Sequence, residues 1–244
     1  LGDVYKRQVH HHAPILFFVG LAGTGKTTFA LSIAEALGKK FVRIPFGGLS
    51  SALDLRGQSK TSPEAEPGMV IRAIRRAGTK NPVILLDELD RCTPETRAAV
   101  MGVLIELLDP GQNSSYVDYF IDYPFDLSQV LFVATANNIN NIATAVLDRL
   151  ELIQMPSYSD EEKIYIGKNF ILPKLLKNYG LTIDNVKVDE TVWAKLVRPI
   201  GFEPGIRSLE RELETMIRKV AYKIVSQQGN SFVINETNFK EYFS

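Results

Sequence analysis

Four short runs of residues, at 13–19, 41–44, 83–87 and 130–135, are apolar and largely β-branched or aromatic, and are bounded by Gly, Pro or Asn. Such runs predict buried parallel strands. Between them, 26–37, 68–77 and 94–108 carry helical spacing, and in the last of these Val100, Val103, Leu104, Leu107 and Leu108 share one face. Gly38 is placed to close the first helix. Thr93 is placed to cap the third, with Pro94 at its first position, and Asp109-Pro110-Gly111 to stop it. Residues 119–124 predict an extra strand before the fourth core strand. Strands alternating with helices predict an α/β layer sandwich. After Met155-Pro156 the pattern changes to helices at 160–177, 189–197 and 207–226, with one short strand at 232–234. Ser159 or Asp160, with Glu161 and Glu162, puts negative charge at the first of these helix starts.

The 244 residues, 45% of them apolar, are enough for one large and one small domain. The expected division is a polar leader at 1–12, a large α/β domain at 13–156 and a small, mainly helical domain at 157–244. The first eight residues, LGDVYKRQ, look like translated read-through of a sequencing adaptor, so a chain cut near Val9 is expected. The tract of His10, His11 and His12 reads as solvated rather than metal-binding, and no other histidine exists to complete a site. Lys plus Arg and Asp plus Glu each total 28, so no overall field draws the molecule to nucleic acid or anionic lipid. One cysteine, Cys92, excludes an internal disulfide and reads as a helix-start residue. The apolar stretches are too short to span a bilayer, and a cytoplasmic setting is expected.

The chemistry is concentrated after the first strand. Gly20-Leu21-Ala22-Gly23-Thr24-Gly25-Lys26-Thr27 is a phosphate-binding loop feeding a helix. Gly20, Gly23 and Gly25 let the backbone form a nest of amides, and the helix N-terminus adds its dipole. Lys26 would reach the β and γ oxygens, and Thr27 would give Mg²⁺ an oxygen ligand. Thr28 continues the helix, with at most its amide offered to the α-phosphate. The third strand ends in Asp87-Glu88, a Walker B pattern at the edge where open α/β sheets bind ligands. Asp87 would hold the Mg²⁺ water shell, Glu88 would orient the water attacking the γ-phosphate, and Asp90 would support them. The fourth strand ends Ala134-Thr135-Ala136-Asn137, which brings Asn137, with Asn138 beside it, to the same edge as a second water-positioning group. ATP and Mg²⁺ are the expected cofactors.

From about residue 14 to 243 the chain resembles the AAA+ ATPase module of the Lon family. The resemblance is carried by Gly38-Lys39-Lys40-Phe41-Val42-Arg43-Ile44 with Gly47-Gly48, by Ala77-Gly78-Thr79-Lys80-Asn81-Pro82, and by Leu108-Asp109-Pro110 with Gln112-Asn113. Phe125-Asp126-Leu127-Ser128, Leu147-Asp148-Arg149-Leu150-Glu151 and Gly205-Ile206-Arg207-Ser208-Leu209-Glu210-Arg211 complete it. The resemblance implies a hexameric ring with nucleotide between neighbours. Arg149 would be the finger reaching an adjacent subunit's γ-phosphate, and Arg207 a second sensor from the lid; both roles suit a guanidinium.

Two departures qualify what is implied. The family's pore loop carries an aromatic and an aliphatic residue that grip polypeptide, and those positions here are Ser62 and Pro63, in a small, acidic, proline-containing stretch. Met69 or a neighbouring loop would then have to grip instead. The family's serine–lysine protease domain would begin beyond 239–243, and the residues present hold no Ser/His/Asp set. The leading expectation is an Mg²⁺-dependent ATPase that drives unfolding for a Lon-type protease. A nucleotide-switched scaffold without protease is the alternative, and the balanced charge argues against a nucleic-acid remodeller.

Overall fold

The computed structural model describes residues 14–198 and 203–243; the leader and its histidine tract lie outside them. By contact the chain divides into two compact units, Leu1–Gly20 with Gly25–Met155, and Leu21–Thr24 with Pro156–Ser244.

The first unit runs β1 (Ile15–Val19), α1 (Lys26–Ala36), β2 (Phe41–Pro45), α2 (Leu53–Arg56), α3 (Met69–Ala77), β3 (Val83–Asp87), α4 (Pro94–Leu108), β4 (Tyr116–Asp118), β5 (Tyr123–Phe125), β6 (Leu131–Ala136), α5 (Thr144–Leu147) and β7 (Leu150–Gln154). Five strands form a parallel sheet in the order β2-β3-β6-β1-β7. Alternate residues of the central strands enter opposite cores, as a period of two requires. Ile84, Leu86, Phe132 and Ala134 pack with Val70 of α3 and Leu104 of α4. Val83, Leu85 and Val133 pack with Ala30 and Ala34 of α1. Helices therefore cover both faces, which explains why β3 is buried along its whole length and reads as an unbroken apolar run. Gly38 closes α1 with φ +62°, its amide bonding Glu35 O at 3.0 Å and that of Lys39 bonding Ala34 O at 2.9 Å.

Three expectations for this unit change. Residues 119–124 are not one strand: β4 and β5 form an antiparallel hairpin outside the main sheet, with 119–122 as its turn. The Asp118 carboxylate takes the amides of Phe120 and Ile121 at 2.9 and 3.1 Å, which removes them from any ladder. A fifth sheet strand, β7, exists where none was expected; as an edge strand with Glu151, Leu152 and Gln154 exposed, it lacks the apolar signature of a buried one. Thr93 stands at the N-cap of α4 with Pro94 following, but its hydroxyl lies 3.2 Å from that of Thr96 and takes no helix amide.

The second unit contains α6 (Asp160–Ile166), α7 (Leu172–Asn178), β8 (Val186–Val188), α8 (Glu190–Val197), α9 (Arg207–Val225), β9 (Phe232–Ile234) and α10 (Phe239–Tyr242). Ser159 and Glu162 close a capping box on α6, with bonds of 3.2 and 2.8 Å. The single helix expected at 160–177 is interrupted by a π turn at Gly167–Ile171. There Trp193 packs so tightly that a Cβ on Gly167 would come within 2.8 Å of its ring, so only glycine fits. A second short strand, β8, was not expected and pairs in parallel with β9. Trp193, Leu213, Met216, Ile217 and Val220 centre this unit's own core.

Candidate nucleotide site

Parallel strands of one sheet end at one edge, so β1, β3 and β6 deliver their C-terminal residues together. After β1, Gly20 donates its amide to Ala136 O at 3.2 Å, and a Cβ there would lie 2.5 Å from Met155 O. Gly25 stands at the N-cap of α1 in a left-handed conformation, φ +88°. Lys26 follows, only 8% exposed, its ammonium donating to Gly20 O at 2.5 Å and to Asn137 Oδ1 at 3.1 Å. Thr27 and Thr28 lie exposed on the first turn of α1.

From β3, Asp87 is 3% exposed. Its Oδ1 accepts from the Thr135 hydroxyl and its Oδ2 from Arg43 Nε at 2.5 Å. Glu88 is a non-glycine residue in the left-handed region, φ 59° and ψ 53°, a conformation that costs energy and clusters at functional sites. Its amide donates to Thr135 Oγ1 at 3.0 Å, and its carboxylate lies 3.4 Å from Arg91. Asp90 accepts from the Asn137 amide at 3.1 Å and from Asn138 Nδ2 at 3.3 Å, so it acts on the end of β6 rather than on the two acids before it.

One group of expected residues therefore comes together: Gly20, Gly25, Lys26, Asp87, Glu88 and Asn137. Two contributors carried no role in the sequence reading, Thr135 and Arg43. Each is a polar side chain inside an apolar strand, which was the available signal. In the second unit, Leu21–Thr24 groups with the lid residues. Ile206 donates its amide to Gly23 O at 3.3 Å, Tyr158 its hydroxyl to Thr24 O at 2.9 Å, and a Cβ on Gly23 would lie 3.3 Å from Arg207 Cγ. Arg207 is thus beside Gly23. Arg149 is elsewhere engaged, donating to Ala145 O at 2.6 Å and Asp109 Oδ2 at 2.9 Å. That hydrogen bond, with one from Gly111, holds the Asp109 carboxyl below the ordinary range.

The family model for the ATPase family associated with various cellular activities (AAA) matches residues 16–158, more than half of the chain. The chain belongs to the AAA ATPase family. A second family model, the Lon protease AAA+ ATPase lid domain, matches residues 177–232. The Lon protease of Desulforamulus reducens is 43% identical over 94% of this chain and 28% of its own length. Lon protease 2 of Thermus thermophilus is 43% identical over 99% of this chain and 30% of its own length. That of Mycoplasma mycoides subsp. mycoides SC is 40% identical over 94% of this chain and 29% of its own length. The chain thus joins an AAA domain to a stretch that matches the Lon lid, and it spans less than a third of the length of those relatives.

Mg²⁺ suits the donors that the AAA fold assembles here. Among the described residues no hydrogen bond engages the Thr27 hydroxyl, and two of the roughly four acceptor positions of the Asp87 carboxylate are unused. No cluster of three or more His, Cys, Asp or Glu that could hold a metal occurs among the described residues. A metal at this edge would therefore take its remaining ligands from phosphate and water. Among the described residues no helix is long and apolar enough to cross a membrane. The thiol of Cys92, at the end of a short 3₁₀ turn, is buried, which pushes its pKa up and makes it a poor nucleophile.

Proposed function

We propose that this AAA module binds ATP with Mg²⁺, hydrolyses it, and within a hexameric Lon-type ring drives unfolding and translocation of polypeptide for proteolysis, in a cytoplasmic setting. The observation that carries the reading is the meeting of Lys26, Asn137, Asp87 and Glu88 at one strand edge. Lys26, with the amides of Gly20, Gly23, Thr24, Gly25, Thr27 and Thr28, takes the phosphates. Thr27 and Asp87 hold Mg²⁺, which when bound neutralises charge on the phosphate oxygens. Glu88 accepts the proton of the attacking water, and Asn137 orients that water. Arg149 makes its hydrogen bonds to Asp109 and Ala145 and none to the strand-edge acids, which suits a finger serving an adjacent subunit's γ-phosphate. Arg207, beside Gly23, suits a phosphate sensor.

ATP turnover measured over a protein concentration series, with and without casein, tests the reading. Turnover that rises with concentration and with casein is expected. Glu88→Gln is expected to keep ATP bound while turnover falls about 100-fold or more. Arg149→Ala is expected to spare binding and lower turnover about 1000-fold. Unimpaired turnover in either variant would overturn these roles.

A nucleotide-switched scaffold is the second reading, and Ser62 and Pro63 favour it, since neither offers an aromatic grip. Beside that loop, Lys60 lies over the Phe120 ring at 5.5 Å, and the hairpin exposes Tyr119, Ile121 and Tyr123, the last 70% exposed. Those side chains are the apolar surface on which the first reading would have to rely in place of the loop. Assembly in ATP without stimulation by casein would favour the scaffold.

A further inference from the structure

The strand β6 has one polar side chain in the sequence Leu131-Phe132-Val133-Ala134-Thr135-Ala136, and it is fully buried. Leu86 lies opposite Ala134 in the parallel register, which sets Thr135 beside Asp87. A threonine hydroxyl has one hydrogen to give and two lone pairs to receive with. Here the hydrogen goes to Asp87 Oδ1, and a lone pair receives the amide of Glu88 at 3.0 Å. One oxygen atom therefore ties the carboxylate of Asp87 to the strained backbone of Glu88, φ 59°.

We infer that Thr135 is a positioning residue for ATP turnover: its hydroxyl fixes the Glu88 backbone and thereby aims the Glu88 carboxylate, while holding Asp87 in place. The inference rests on the reading of this edge as an ATP-hydrolysing site. Without the hydroxyl, the Glu88 amide loses its partner and its left-handed turn loses what holds it. The Glu88 carboxylate then drifts from the geometry a transferred proton needs, whereas Lys26 and the glycine nest still bind nucleotide.

Thr135→Val keeps the shape and deletes the hydroxyl; Thr135→Ser keeps the hydroxyl. The valine variant is expected to lower kcat about tenfold or more, with KM for ATP and nucleotide affinity changed less than about threefold, and serine to recover most of the loss. Added to Glu88→Gln, Thr135→Val is expected to cost much less than it does alone, because the larger part of its effect runs through Glu88. Hydrogen exchange at the Glu88 amide is expected to quicken in the valine variant and to stay slow with serine. Wild-type kcat in the valine variant, no rescue by serine, or a full additional loss on Glu88→Gln would overturn the inference. Should valine not fold, Thr135→Cys, a weaker donor and acceptor, is expected to fall between, and wild-type kcat there would overturn it equally. Absence of turnover in the unsubstituted protein would overturn the functional reading instead, and unchanged exchange at Glu88 in the valine variant would still overturn the inference on its own.

Discussion

The first unit buries two polar clusters, and they differ in whether they close on themselves. At the hairpin, Asp118 is fully buried and its oxygens take the amides of Gly68, Phe120 and Ile121 at 2.8, 2.9 and 3.1 Å. Arg56 pairs with Glu106, donates to Val117 O, and lies over the Tyr116 and Tyr119 rings; the Tyr116 hydroxyl donates to Leu55 O at 3.1 Å. Each of these groups has a partner within the fold, and the cluster binds the hairpin to the base of the 57–68 loop. At the strand edge, by contrast, Asp87 keeps acceptor capacity unused, Glu88 is strained, and Lys26 rests on a carbonyl that phosphate would outcompete. Burial of charge alone does not mark a site. Incomplete satisfaction together with strain does.

That contrast can be broken by substitution. The largest effect is expected at the open cluster, where Lys26→Ala should lower nucleotide affinity about 100-fold or more, read by titration of a fluorescent ATP analogue, with little change in urea midpoint. Asp118→Ala should do the reverse. It leaves three amides without their acceptor and is expected to lower stability by about 3 kcal/mol, read by urea unfolding, while nucleotide affinity holds. A variant of Asp118 that lost nucleotide binding at full stability would erase the distinction.

Smaller effects sharpen it. Tyr116→Phe should cost about 1 kcal/mol through the bond to Leu55. Burial pushes the Tyr116 hydroxyl pKa well up, so the folded protein keeps it neutral where the unfolded chain ionises, from about pH 10. The stability it contributes is therefore complete below about pH 10 and is lost as pH rises beyond, and Tyr116→Phe should flatten that alkaline fall in the urea midpoint. The smallest effect belongs to the half-buried Asp109–Arg149 pair. With the Asp109 carboxyl held low, its contribution is present above the ordinary carboxylate range and is lost as pH falls through its depressed pKa. Arg149→Ala should make acid unfolding begin at slightly higher pH.

The sequence by itself determined the parallel strands, the glycine loop after the first of them and the paired acids that end the third, because each is a local pattern: unbroken apolar runs, glycines at fixed spacing, carboxylates at a strand end. It also determined Asn137 as a polar residue at a strand tip, which lies against Lys26. It did not determine β7 or β8. An edge strand with one exposed face and a three-residue strand carry too few apolar positions, and β8 exists only because β9, 46 residues later by first residue, pairs with it. Nor could it determine what Thr135 and Arg43 do, since a hydroxyl and a guanidinium in apolar strands acquire a role only when strand register sets them against Asp87. Local chemistry is written in consecutive residues. Which buried donor meets which acceptor is a long-range fact, decided by the order and register in which the strands close the sheet.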